Sequence, residues 1–401
     1  MTTRRTASML SLVASGALVL GGCGGGTLGG GGDGGGDGDD ATAEGPIKVG
    51  LLVPQSGVYK SLGDDMKAGF EVYLEEHDNM LGGLEVEVIL ADEGETADSG
   101  KAAADKLVKQ DEVAVVTGVV NSAVMNGVAD LFETSKIPLV GSNASPTTLT
   151  DATYIWRTSY VNDEPGEALG AYVAENVDGG VYFLAADYQA GKDEVEGFKK
   201  TFEPAGGEIV DEVYTPFPGT TNFQPFLANA LSSDAAALFS FYAGGAAVEF
   251  VKQYDQFGLK GEIDHYSAGF LTEGGVLQGQ GDSAEGTFTA MNYNYDLDNE
   301  LNTSFVEAYK AKTDRNPTTY AMASYDAAKV LDMAIEAAGG ADSEAINTAI
   351  GEITEVESPR GTWSWSDIGT PVQMWYLREV QEVDGELTNV VVQELGELGS
   401  D

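Results

Sequence analysis

From Ile47 onward, short aliphatic and β-branched runs alternate with windows of helical spacing, and this alternation restricts the fold more than any other feature of the chain. Ile47 to Val53 reads as a strand, after which Leu62, Met66, Phe70, Tyr73 and Leu74 fall on one helical face. Strands at Leu84 to Leu90, Val113 to Thr117 and Ile137 to Val140 follow, separated by helical windows at Ala97 to Lys109 and around Val124, Val128 and Leu131. Repeated β-α-β units with right-handed crossovers build a parallel sheet covered by helices on both faces. A second series runs through strands at Val181 to Ala185, Glu208 to Val213, Ala235 to Ser240 and Ile263 to Ser267. Its helical windows are Glu194 to Phe202, Phe223 to Leu231 and Ala246 to Phe257, and Thr221 with Gln224 has the spacing of a capping box. The fold class expected is α/β, with two doubly wound parallel-sheet lobes joined by a multi-crossover hinge.

About 355 residues follow position 45, which suits two domains of ordinary size. Helical windows at Ser304 to Ala311 and Ala321 to Ala338, then Trp363 to Trp365 and the strand-like Val372 to Val380, are too little for a third sheet. The economical path returns the chain to lobe one and ends it in lobe two. Lobe one is then residues 46–158 with about 294–358, and lobe two residues 159–293 with about 359–401.

The N-terminus reads as an address. Arg4 and Arg5 precede the apolar stretch Ala7 to Leu20, and the only cysteine follows in Leu20-Gly21-Gly22-Cys23. This order resembles a Tat-type lipoprotein signal over residues 1–22, with Cys23 lipidated. The alternative is an uncleaved anchor helix, for which about 14 residues are short of the roughly 20 needed to span a bilayer. Residues 23–45 are mostly Gly and Asp and read as a tether, because such a segment cannot bury enough apolar surface to offset its ordering entropy. A single cysteine excludes an intramolecular disulfide, so packing must hold the fold.

With 65 Asp and Glu against 21 Lys and Arg, the formal net charge is −44. Self-repulsion on that scale is strong in dilute salt and screened near 1 M, where the Debye length is about 3 Å. An acidic, halophilic surface is expected. The charge argues against nucleic acid or anionic lipid headgroups as partners, leaving the lipid anchor as the only membrane contact.

Four stretches carry a family resemblance. They are Val49-Gly50-Leu51 through Gln55-Ser56-Gly57, then Ala129-Asp130-Leu131-Phe132 through Ile137-Pro138-Leu139-Val140-Gly141-Ser142-Asn143-Ala144-Ser145, then Trp156-Arg157-Thr158, and Ser324-Tyr325-Asp326-Ala327-Ala328. Over residues 47 to roughly 380 the sequence resembles the periplasmic-binding-fold class I proteins of branched-chain amino acid transport, the leucine/isoleucine/valine-binding type. The resemblance implies an extracytoplasmic, monomeric solute-binding lipoprotein of an ABC importer. It would close two lobes on a small amino-acid-like ligand and present it to a permease. The same fold also serves as a sensing module, and amides, urea-like compounds and small carboxylates remain open as ligands.

Ligands of open α/β sheets sit at the carboxyl ends of the strands. By resemblance, Ser122, after Asn121 at the start of a helix, grips the ligand carboxylate, where a helix N-terminus favours an anion; the other reading is an ordinary cap. Asn143, Ala144 and Ser145 match the family's second carboxylate loop, although such residues also populate turns for local reasons. Tyr188 and Tyr242 follow strands of lobe two and either cover the ligand or pack within their own lobe. Tyr59 and Tyr320 are further candidates. The family's ammonium-binding glutamate is missing, because the chain reads Ser267-Ala268-Gly269-Phe270 there. Because a buried ammonium needs a charge partner or several acceptors, either Asp187 or Glu273 compensates or the ligand is not an α-amino acid. Only His77 and His265 occur, in no triad or metal spacing, so neither enzymatic activity, cofactor nor metal is expected.

Overall fold

The computed structural model describes residues 45–399, so the expected signal, lipidated Cys23 and most of the tether lie outside the described residues. The first series comprises β1 (Ile47–Val53), α1 (Lys60–Glu76), β2 (Met80–Leu81), β3 (Leu84–Asp92), α2 (Ala97–Lys106), β4 (Val115–Gly118), α3 (Ser122–Ser135), β5 (Leu139–Gly141) and β6 (Ile155–Arg157). These strands form a six-stranded sheet in the order β2-β3-β1-β4-β5-β6, parallel except for β2. The second series is α4 (Glu164–Asn176), β7 (Gly180–Asp187), α5 (Gln189–Phe202), β8 (Ile209–Pro216), α6 (Gln224–Ser232), β9 (Ala235–Phe241), α7 (Gly244–Gln256), β10 (Asp264–Ala268), α8 (Gly275–Gln280) and β11 (Phe288–Met291). The chain continues through α9 (Glu300–Thr313), α10 (Thr319–Ala338) and α11 (Ser343–Glu352), then β12 (Ser364–Trp365), β13 (Pro371–Val383) and β14 (Glu386–Leu398). The second sheet has the order β12-β13-β11-β10-β9-β7-β8, with β14 on β13. Its β13 runs antiparallel to β11 and β14.

Alternation along the strands decides what each face buries. In β4, Val115 joins a core with Phe70, Tyr309, Leu331 and Ile346 from the helices on one side, whereas Val116 packs with Leu107, Val128 and Phe132 on the other. In β7, Val181 and Phe183 face Phe198 and Phe202, while Tyr182 and Leu184 face Phe250 and Val251. Helices α9–α11 thus share the first sheet's core, and β13 and β14 extend the second sheet.

The chain crosses between the lobes three times, and the crossings are tied at one carbonyl. Ser159 O, in the first, accepts from Asn292 Nδ2 of the second at 2.9 Å, from Arg360 Nη1 of the third at 3.0 Å, and from Gln373 Nε2 at 2.9 Å. Arg360 is also ion-paired with Asp326 of α10 at 2.9 Å, both fully buried, and Asp326 accepts from Ser358 Oγ and Trp363 Nε1. These bonds tie the three crossings to one another.

The expected capping box does not form. Helix α6 begins at Gln224, capped by Phe223 with no side-chain bond, so Gln224 is one residue past the cap and not three. Pro225 favours the first turn at that register. Gln253 of α7 takes over the amide and carbonyl work, accepting from Phe223 N at 2.7 Å and donating to Thr221 O at 2.8 Å.

Both histidines sit in structural contacts. His77 Nδ1 lies 2.7 Å from Tyr73 O with its ring stacked on Tyr73. In β10, His265 Nε2 lies 2.8 Å from Ser240 Oγ, and burial pushes the imidazole down to about 3. Among the described residues, no group of three or more His, Cys, Asp or Glu could hold a metal ion, and no helix is long and apolar enough to cross a membrane.

Candidate ligand cleft between the lobes

Strands β4, β5, β7, β9 and β10 all end at one cleft, which draws Ser122, Asn143 and Ala144 from the first lobe and Tyr188, Glu194, Phe241 and Phe270 from the second. Tyr59 and Leu62 enter beside α1, Tyr160 and Asn162 from the first crossing, and Tyr320 from the start of α10. Larger hollows exist elsewhere, including one of about 270 Å³ around Glu273, Arg315 and Arg378, but it does not collect strand ends from both sheets. In the cleft the lobes are closed on each other. The cavity left between them measures about 20 Å³, room for one water and not for a solute.

The first lobe's side is built around α3. Asn121 is its cap, with Oδ1 accepting from Ala123 N at 2.8 Å. Buried Glu93, just after β3, accepts from the amides of Val120 and Asn121 at 2.9 Å each, and burial pushes its carboxyl up to about 8 despite them. These two amides, which would otherwise face an anion, are therefore already occupied. The Ser122 hydroxyl accepts from Asn162 Nδ2 at 3.0 Å, which leaves its own proton to donate. Asn143 donates to Val120 O and accepts from Tyr160 OH, so both ends of its amide are held.

Aromatic rings form the rest of the wall. Tyr59 OH donates to Tyr188 OH at 3.3 Å across the cleft, and Tyr188 stacks on Phe217 with centroids 4.3 Å apart. Phe270 lies 5.2 Å from Tyr160, 6.1 Å from Phe241 and 6.0 Å from Tyr320. Tyr320 is buried, and its hydroxyl has no hydrogen-bond partner among the described residues.

Of the residues singled out from the sequence, Ser122, Asn143, Ala144, Tyr188, Tyr59 and Tyr320 meet at this cleft. The others do not line it. Asn121 spends its side chain on Ala123 N and Glu95 O, and Ser145 is buried behind the loop, with its amide on Asn162 Oδ1. Tyr242 points the other way, its ring 4.4 Å from Phe250 and its hydroxyl 3.1 Å from Thr215 Oγ1. Because neighbouring strand residues face opposite sides, Phe241 takes the cleft and Tyr242 the far face. Asp187 is exposed and ion-paired with Lys192 at 2.9 Å. Tyr160, Asn162, Phe241, Phe270 and Glu194 were not anticipated. Ala190 and Glu194 share a helical face with the start of α5, and that four-residue spacing was a readable signal.

A family model described as periplasmic binding protein matches residues 46–386. The chain is 31% identical over 363 residues to Leu/Ile/Val-binding protein homolog 6 of Brucella melitensis, covering 88% of this chain and 92% of that one. Among solved structures, it is similar to an ABC-transporter solute-binding protein of R. palustris in complex with benzoate. That structure has a TM-score of 0.83 and 30% identity, over 89% of this chain and 98% of the other. A leucine-binding protein of Thermotoga maritima shares the fold, with a TM-score of 0.78 and 21% identity over 88% and 99%.

Proposed function

The chain belongs to the periplasmic binding protein family, and on that premise we propose that it is the solute-binding component of an ABC importer, closing its two lobes on a small ligand with an apolar body. The observation that carries this reading is the meeting of strand ends from both sheets, with Ser122, Asn143 and Ala144 facing Tyr188 and Phe270 across the closed cleft. Closure presents a joint surface of both lobes to a permease, and a ligand shifts the lobes toward closure only by what it gains in the closed state. The relatives are named for leucine, isoleucine and valine or hold benzoate, so amino acids and small aromatic carboxylates are the solutes to test first.

Export through the twin-arginine signal and lipidation at Cys23 would tether a monomer outside the cell, with residues 24–45 as the lead to the membrane. Calorimetry on the exported chain in 2 M KCl should find one-to-one, saturable binding of a solute from these classes. Ser122→Ala should weaken it about 3- to 10-fold, the range of one hydroxyl hydrogen bond. Unaltered affinity in the variant would remove Ser122 from the site, and absence of binding by either class would overturn the reading.

The charge of −44 belongs to the same proposal. With repulsion unscreened, the melting temperature in 0.1 M KCl is expected to lie about 10 °C or more below that in 2 M KCl. A melting curve independent of salt would show that the acidic surface is not an adaptation to brine.

A further inference from the structure

Three acids compete to replace the ammonium partner that the sequence lacks after β10, and two are already occupied. Asp187 is on the surface with Lys192. Glu273 is buried but held by Arg378 Nη2 at 2.8 Å and by the Thr319 amide at 2.9 Å, outside the cleft. The third is Glu194 of α5, which is 1% exposed and lines the cleft. Its Oε2 accepts from Gly166 N at 3.1 Å, and among the described residues its Oε1 has no hydrogen-bond partner. A buried carboxylate oxygen left unpaired is costly unless a ligand supplies the missing donor.

We propose that Glu194 Oε1 receives a positively charged nitrogen of the ligand, so that the cleft takes a small ammonium-bearing zwitterion whose apolar body lies among the aromatic rings. This rests on the reading of the cleft as the ligand site. No lysine, arginine or histidine is among the side chains that line it, so a ligand bearing only negative charge would meet no cationic partner there. The rings of Tyr59, Tyr160, Tyr188, Phe241, Phe270 and Tyr320 add π faces, which attract a cation and repel an anion. Glu194 is also fixed in place. A Cβ on Gly166 of α4 would lie 2.2 Å from Glu194 O, so the two helices touch backbone to backbone at this carboxylate.

Proton linkage supplies a second signature. Burial first, then the charges of Asp163 and Asp193, with Glu164 adding to them, push the Glu194 carboxyl well above its ordinary range. Tyr160 and Tyr188 line the same cleft as this carboxyl. An ammonium ligand stabilises the ionised carboxyl and so favours loss of its proton. Affinity for such a ligand then rises with pH, up to about 10-fold per unit below the carboxyl's pKa. A carboxylate ligand accepting the Glu194 proton would show the opposite slope.

The test is calorimetry on the exported chain in 2 M KCl with L-leucine, L-phenylalanine, their des-amino analogues 4-methylpentanoate and 3-phenylpropanoate, and benzoate. The amino acids should bind at least about 30-fold tighter than the des-amino acids. Their binding should release protons, read from heats in buffers of different ionisation enthalpy. Glu194→Gln should abolish the release and remove about 30-fold of amino-acid affinity, while leaving carboxylate affinity within about 3-fold. Benzoate or a des-amino acid binding as tightly as its amino acid overturns the proposal and leaves the ligand cleft standing. So does amino-acid binding that Glu194→Gln leaves unchanged. If neither class binds, the cleft reading falls with it.

Discussion

Replacing Arg360 with methionine is expected to cost about 3–5 kcal/mol of folding stability, the largest loss foreseen for a single side chain here. The guanidinium joins Ser159 O, Thr158 O, Gln373 Oε1 and Asp326, so one substitution releases bonds to all of them. It also strands Asp326, which is fully buried and whose Oδ1 has no hydrogen-bond partner among the described residues. Burial raises the Asp326 carboxyl and Arg360 opposes that rise, so loss of the guanidinium moves it further up. Urea unfolding in 2 M KCl measures the effect. The double variant Arg360→Met with Asp326→Leu should recover at least half of it, because an apolar pair no longer leaves a buried charge unmatched. A loss below about 1 kcal/mol for Arg360→Met would mean that the crossings are held by packing alone.

Gly197→Ala is the second large effect, about 3 kcal/mol of destabilisation, although alanine favours a helix over glycine by about 1 kcal/mol. Gly197 lies in α5, one turn after Glu194, and a Cβ there would sit 2.0 Å from Asp163 O. Backbone and not a movable side chain is in the way, so α5 must shift off α4 and carry Glu194 with it. Gly275→Ala serves as control. That residue opens α8 with nothing among the described residues within 4 Å of the added methyl, and its change should stay within about 0.5 kcal/mol. Equal stability of the two variants, by urea or thermal unfolding, would refute close packing as the reason for Gly197.

Much of the cleft was legible because it lies where strands end. Ser122, Asn143, Ala144 and Tyr188 each follow a strand that the alternating pattern marked, and the topology brings such ends together. Of the two readings open for Tyr242, the structure takes packing within its own lobe. Phe241 closes β9, a strand buried on both sides, and Tyr242 follows it directly, so pattern alone cannot choose which aromatic faces the cleft. The capping box at Thr221 failed for a related reason. Gln253, 32 residues away, holds the backbone groups near the start of α6, and no local spacing reports that contact.

Strand and helix order, and with it the doubly wound class, came from the residues alone, because periodicity and crossover handedness are local rules that each β-α-β unit obeys by itself. The choice of Glu194 over Asp187 and Glu273 was made only in three dimensions. All three are acids near strand or helix starts, and what separates them is desolvation and the presence or absence of a cationic partner. Desolvation depends on chain segments far apart in sequence, and so does the partner of Glu273, since Arg378 reaches it from 105 positions away, while among the described residues Glu194 Oε1 has no hydrogen-bond partner.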